Sequence, residues 1–304
     1  MKPARVLIFG QGQLGTSYKE HFVATGTEVL TPRVDIRDVE AVRRAFTETQ
    51  PDLVLNCAAK TNIDWCEMHK TEAFDINTLG SDAIARAAQE MGVYLVHVSS
   101  GCVQESVAAD DVKSEEDAPN PLCYYSWTKV WAENLLCDRA IRHGLKALIL
   151  RPRQLLSAVQ SPRNALVKML TYTKFIDTPN SCTVVEDLLH VTEQLIARDA
   201  TGVINVVNPG VTSPFRIAEV LRERVKPDMQ FTKISKEELN RMTLAKRIDA
   251  VLSTKKLASH GITLPHVDDR LVEIADRLRQ YLTENADVLE RTKEETREKL
   301  ALVS

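Results

Sequence analysis

The stretch RVLIFGQGQLG, residues 5–15, decides how the rest of the chain is read. A short apolar run ends at Gly10, and Gly12 and Gly15 follow in the spacing GxGxxG. Residues without side chains let the backbone turn tightly and approach a pyrophosphate, which then rests on the N-terminus of the next helix. Alone, the pattern is a weak signal. Set between a strand and a helical pattern opening at Gln13 and Leu14, it predicts the first turn of a dinucleotide-binding βαβ unit.

Outward from that turn, short apolar runs alternate with helical periodicity. EVL (28–30), DLVLN (52–56), YLVHVS (94–99) and KALIL (146–150) read as strands. Residues 13–25, 38–49, 72–92 and 124–144 carry helical spacing. This alternation predicts an α/β fold with a Rossmann-type, doubly wound parallel sheet covered on both faces. Beyond residue 150 the texture changes, with helical segments around 163–172, 186–198 and 213–226 interrupted by GVINVVNPG (202–210). The expected division is a dinucleotide-binding domain over 1–150 and a smaller C-terminal substrate-binding lobe over 151–284, which returns some elements to the first domain. A charged helical tail over 285–304 reads as a solvated terminal helix.

Composition narrows the class. With 304 residues, 44% of them hydrophobic, the chain can bury one large core or two lobes. A net charge of −3 argues against a nucleic-acid partner, which normally meets a basic face. The apolar runs are far shorter than the roughly 20 residues of a membrane span. The N-terminus enters a strand at once, so no secretion signal is expected and the expected location is cytoplasmic. Six cysteines, at 57, 66, 102, 123, 137 and 182, form no CxxC pair, which fits reduced thiols and gives no metal-site spacing.

A carboxylate for a ribose 2′-hydroxyl belongs at the end of the second strand, where this chain has LTPRVDIRD. Arg33 there suits a 2′-phosphate, favouring NADPH over NADH, or is a solvated surface arginine. Asp35 and Ile36 are candidates for the adenine pocket. Asn56, Cys57, Ala58 and Ala59 end the next strand beside the cofactor. Downstream, YYSWTK (124–129) holds Tyr125-x-x-x-Lys129, whose side chains share a helix face. An ammonium near a phenol favours its phenolate and makes proton exchange with a carbonyl oxygen feasible. Ser100, at the end of a strand, can hydrogen-bond the same oxygen. Tyr124 competes for the tyrosine role but lacks the spacing to Lys129.

Taken together, GxGxxG, NCAA, the strand-end serine and YxxxK resemble the short-chain dehydrogenases/reductases, and Asn77 in DINTLG matches that superfamily's helix asparagine. NIDWCEMHK (62–70), SSGCV (99–103), EEDAPN (115–120), SPRNALVKM (161–169), TPNSCTVVEDLL (178–189) and TGVINVVNPGV (201–211) narrow the resemblance. They are similar to the extended dTDP-4-dehydrorhamnose reductase family, above all its bifunctional plant epimerase/reductase branch. The resemblance implies NAD(P)H-dependent reduction of the 4-keto group of a UDP- or dTDP-linked 4-keto-6-deoxyhexose, coupled to 3,5-epimerisation. It implies Ser100, Tyr125 and Lys129 as reductase residues, with Cys102 and Lys168 as the epimerase pair. As plain residues, Cys102 reads equally as a packed thiol and Lys168 as a solvated lysine. Thr61, Asn62, Asp64, Arg163 and Asn164 are the candidates for the nucleotide-sugar substrate. QESVAADDVKSE and RPRQLLS depart from the plant pattern. The alternatives are a reductase without epimerase activity and an NADP-binding regulatory subunit resembling the methionine adenosyltransferase β subunit. A homodimer is the oligomeric expectation.

Overall fold

The computed structural model describes residues 2–158 and 164–285, with 288, 289, 292 and 294. Its centre is a six-stranded parallel sheet built from β1 (Arg5–Phe9), β2 (Glu28–Leu30), β3 (Leu53–Asn56), β4 (Tyr94–Val98), β5 (Ala147–Pro152) and β6 (Gly202–Val206). The strand order is β6-β5-β4-β3-β1-β2. β1 pairs with β2 on one side and β3 on the other, so successive crossovers run in opposite directions from this point. In an open α/β sheet that reversal opens a crevice at the carboxyl ends of the strands.

Helices cover both faces. On one face, α1 (Gln13–Ala24) lies beside α5 (Val185–Ala197), and the Tyr18 hydroxyl meets Thr192 Oγ1 at 2.7 Å in the buried seam. On the other lie α2 (Val39–Thr49), α3 (Gly80–Glu90) and α4 (Tyr124–His143). Asp38 starts α2 by accepting from Ala41 N at 2.9 Å, and Gly144 ends α4 in the left-handed region at φ +68°. The segment expected to be one helix over 72–92 contains a π turn, Asp75–Leu79, immediately before α3. Such a turn widens the helix, and here it falls on Asn77.

The second lobe packs α6 (Pro214–Arg224) and α7 (Val267–Glu284) with the short helix Ala165–Met169 around Leu166, Phe175, Ile217, Leu221, Leu271 and Ile274. The division near residue 150 is crossed by two elements. GVINVVNPG supplies β6, which is parallel to β5 in the main sheet, and α5 packs into the dinucleotide-side core. Both carry apolar faces that the edge of the large sheet buries. Val112–Lys113 also pairs with Val251–Leu252, stitching the first half of the chain to the last quarter. The tail expected over 285–304 lies almost wholly outside the described residues.

Beneath the carboxyl edge sits a buried ion pair. Arg151 donates to both oxygens of Glu133, the closest contact being 2.6 Å, and the Ser99 hydroxyl donates to the same carboxylate. Both side chains are 5% exposed, so removing one partner strands a charge. Arg151→Met should therefore lower the unfolding free energy by about 3–5 kcal/mol, read from urea denaturation.

Candidate active site

The crevice is assembled from loops at the carboxyl ends of β1, β3, β4 and β5. After β1, Gly10 adopts φ +93°, and a Cβ built on it would lie 2.6 Å from Ala58 N. A Cβ on Gly15 would lie 1.8 Å from Gly10 O. The turn thus brings its backbone against the exit of β3 at a spacing open only to glycine. Gly12 is the N-cap of α1 with no side-chain cap bond, and the first turn holds no acid. An uncapped helix N-terminus beneath a glycine cradle fits a dinucleotide pyrophosphate. Gln13 and Leu14 open that helix, and Gln11 Nε2 donates to Thr31 O at 3.0 Å, tying the turn to the end of β2. Gly10, Gly12, Gly15 and the α1 N-terminus would hold the cofactor.

The adenine-side candidates are less open. Asp35 is gripped by Arg37 at 2.6 Å, and these hydrogen bonds hold its carboxyl below the usual range. Ile36 is buried against Gly80 in the core. Arg33 sits exposed in the loop after β2, which carries no acid before Asp35.

At the end of β3, Asn56 Oδ1 accepts from Ala58 N at 3.0 Å. That bond orients the amide, so Nδ2 faces Ser81 Oγ at 3.2 Å and His97 Nδ1 at 3.1 Å. His97 therefore accepts at Nδ1 and carries its proton on Nε2, a tautomer assigned from the network. Burial, then the charge of Lys129, hold its imidazole well below its ordinary value, in the neutral form. Asn77 lies fully buried in the π turn. Its Oδ1 accepts from Lys60 N at 2.7 Å, and its Nδ2 donates to Lys60 O and Thr128 Oγ1, each at 3.0 Å. Asn77 thus clamps the loop after β3 onto α4, and these partners occupy its amide.

Ser100, Cys102, Tyr125 and Lys129 meet at the end of β4. Ser100 caps the turn Gly101–Val103, its Oγ accepting from Cys102 N at 3.2 Å. Tyr125 and Cys102 are each 8% exposed and share one cluster. Burial raises the Tyr125 phenol above its ordinary value, Cys102 adds to the rise, and the Ser100 hydrogen bond opposes it. The expected lowering by Lys129 is absent, because the lysine points elsewhere. Its Nζ donates to Val98 O at 2.9 Å and lies 3.5 Å from His97 Nε2. Burial pushes the Lys129 amine down to about 8, against the pull of Glu133 one turn on. Tyr124 faces away, its ring edge-on to Trp131 and its amide on Glu67 Oε1 at 2.6 Å.

The sugar-side candidates divide. Asn62 caps the helix Ile63–Met68 by accepting from Trp65 N at 3.0 Å. Asp64 holds Arg247 at 2.6 Å and accepts from Ala245 N. Burial opposes ionisation of Asp64, but the Arg247 and Ala245 hydrogen bonds outweigh it, and the carboxyl is lowered. Asn164 is buried, accepting from Leu166 N and donating to Ser157 O, each at 2.8 Å. These polar groups are committed to holding the two lobes in shape, whereas Thr61 is exposed at the loop tip. Arg163 lies outside the described residues. Lys168 is on the short helix Ala165–Met169 of the second lobe. Sequence reading passed over His97, Glu133, Arg151 and Arg153. The usable signals were Lys129 and Glu133 one helical turn apart and two arginines at a strand end.

Residues 4–280 match the family model described as RmlD substrate binding domain. The chain belongs to this family. Among its relatives, the bifunctional dTDP-4-dehydrorhamnose 3,5-epimerase/dTDP-4-dehydrorhamnose reductase of Arabidopsis thaliana is 30% identical over 278 residues, covering 88% of this chain and 91% of that protein. The crystal structure of the L780 UDP-rhamnose synthase from Acanthamoeba polyphaga mimivirus superposes with a TM-score of 0.82 at 27% identity, covering 90% of this chain and 99% of that one. The dTDP-4-dehydrorhamnose reductase of Bacillus anthracis, solved with NADP, shares the fold with a TM-score of 0.76 at 23% identity, covering 92% and 99%. Among the described residues of this RmlD-family chain, no helix is long and apolar enough to cross a membrane.

Two outcomes follow for the family site in this chain. Gly10→Ala should abolish NADPH binding in a fluorescence titration while the protein still folds, because the added Cβ meets backbone in a left-handed turn. Lys129 has a folded value of about 8 against 10.5 unfolded, so the unfolded chain binds more protons between these limits. Stability should rise with pH through that window by on the order of 2 kcal/mol. Lys129→Met should remove the rise, as read by denaturation at pH 7.5 and pH 10.

Proposed function

We propose that the protein uses NADPH to reduce the 4-keto group of a UDP- or dTDP-linked 4-keto-6-deoxyhexose, after epimerising carbons 3 and 5, to give an L-rhamnose-type sugar. The observation that carries this reading is the meeting of Tyr125, at the start of α4, with the Ser100–Cys102 turn at the crevice, beside the glycine cradle. NADPH, when bound, supplies the hydride. Ser100 and Tyr125 hold the ketone oxygen. A phenol raised by burial is fully protonated at neutral pH, the state from which it donates to the oxygen of a ketone being reduced. The Lys129 amine, pushed down to about 8 by burial, is held behind the site on Val98 O and beside His97.

The same ketone activates both neighbouring carbons. Removing a proton from carbon 3 or 5 places negative charge on the oxygen that Ser100 and Tyr125 hold. Cys102 takes the proton on one face, and Lys168, carried on the helix Ala165–Met169 of the second lobe, returns one on the other. Support for the epimerase half comes from the bifunctional Arabidopsis relative together with the retained cysteine and lysine.

Incubation with the 4-ketosugar in deuterated water, without NADPH, should place deuterium at carbons 3 and 5, read by mass spectrometry and NMR. Cys102→Ala should abolish this exchange. A wild-type enzyme that reduces a pre-epimerised ketosugar yet incorporates no deuterium is a reductase alone. Tyr125→Phe should lower kcat for reduction by roughly 10²–10⁴-fold, the usual worth of a positioned proton donor.

A further inference from the structure

Arg153 follows the end of β5 and lies against the Ser100–Cys102 turn. One terminal nitrogen donates to Cys102 Sγ at 3.3 Å. The other donates to Asn180 Oδ1 at 2.8 Å and to Ile248 O. Asn180 is itself fixed, donating to Asp249 Oδ1 at 2.7 Å and accepting from Ala250 N at 3.0 Å. Leu252 and the stem of the arginine together fill the space a side chain at 101 would need, a Cβ there lying 2.6 Å from Leu252 Cδ1. A Cβ on Gly101 would lie 3.2 Å from Arg153 Cβ and 3.3 Å from its Cδ. The glycine between serine and cysteine thus lets Leu252 and the Arg153 stem pack against this turn.

The charge balance gives the contact its meaning. Among the described residues, no carboxylate forms an ion pair with Arg153, whereas the neighbouring Arg151 is paired bidentately with Glu133. A half-buried guanidinium without an acid is costly unless something nearby takes negative charge. Cys102 is the one group among its hydrogen-bond partners that can ionise.

We propose that Arg153 is the counter-charge of Cys102, a positioning residue that holds the sulfur as the proton-abstracting group of the epimerisation. This rests on the epimerase reading above. In the step, the carbon–hydrogen bond beside the ketone breaks and its proton passes to Sγ. The electron pair moves into the enolate, whose oxygen Ser100 and Tyr125 hold. A proton from the Lys168 ammonium then forms the new carbon–hydrogen bond on the opposite face, and thiol and amine re-equilibrate with water. Arg153 keeps its protons throughout, and nothing is oxidised or reduced.

The test reads the sulfur directly, without a sugar. Iodoacetamide labelling at pH 7.5, resolved by peptide mass spectrometry, gives the rate at Cys102 relative to Cys123, a buried thiol of the same cluster that reports general loosening. Arg153→Met should lower that ratio about tenfold, and Arg153→Lys should restore it to within about threefold. If the methionine variant does not fold, Arg153→Gln, which keeps an amide donor and loses only the charge, carries the same expectation. An unchanged or raised ratio overturns the proposal, since a merely structural arginine would loosen both thiols together. Deuterium incorporation into the ketosugar should fall in step with the ratio. A lowered ratio in a protein that never exchanges sugar protons would leave the Arg153–Cys102 coupling standing and sink the epimerase reading. Wild-type exchange with an unchanged ratio in the variants would do the reverse.

Discussion

Everything at the crevice depends on how closely β1 and β3 release their chains. Gly10 turns at φ +93° against Cys57 and Ala58 with no room for a Cβ, and Gly15 sits as tightly on Gly10. This double approach lays the N-terminus of α1 beside the β3 exit at the point where the sheet reverses direction. Asn56 and Asn77 then hold that exit in place. One bonds Ala58, Ser81 and His97, and the other bonds Lys60 and Thr128. The glycine turn and α4 are therefore registered to each other through buried amides.

Two arginines at neighbouring alternate positions of β5 and its exit act in different ways. Arg151 points into the sheet's underside and neutralises Glu133, which in turn accepts from Ser99 and favours the charged form of Lys129. Arg153 points to the crevice and finds a sulfur where Arg151 found a carboxylate. Burial lowers Lys129 and, with Cys102, raises Tyr125, which leaves a low-lying amine and a firmly protonated phenol. A protonated phenol near neutral pH is the form in which a tyrosine can donate a proton.

Much of the site was legible because it is local. Gly10, Gly12 and Gly15 are spaced by one turn, and Tyr125 and Lys129 by one helical repeat, so a single segment states each motif. Ser100 and Cys102 were equally readable at a strand end. The intramolecular bonds of Asp64 and Asn164 were hidden, because a polar residue in a loop looks the same whether it faces a sugar or caps a helix. Their partners, Arg247 in one case and Ser157 in the other, lie elsewhere in the chain. The direction of the Lys129 side chain was likewise hidden, being set by a carbonyl on β4.

The sequence by itself determined the alternating α/β order, the glycine turn and the Ser, Tyr, Lys and Cys set, since each follows from spacing along one segment. Only the tertiary structure decided that GVINVVNPG joins the main sheet, that His97 lies beneath Lys129, and that Arg153 reaches Cys102. Those contacts join residues 32 to 54 positions apart, brought together by sheet pairing and burial. No local pattern encodes them, because the energy that selects them is gained only when the whole core closes.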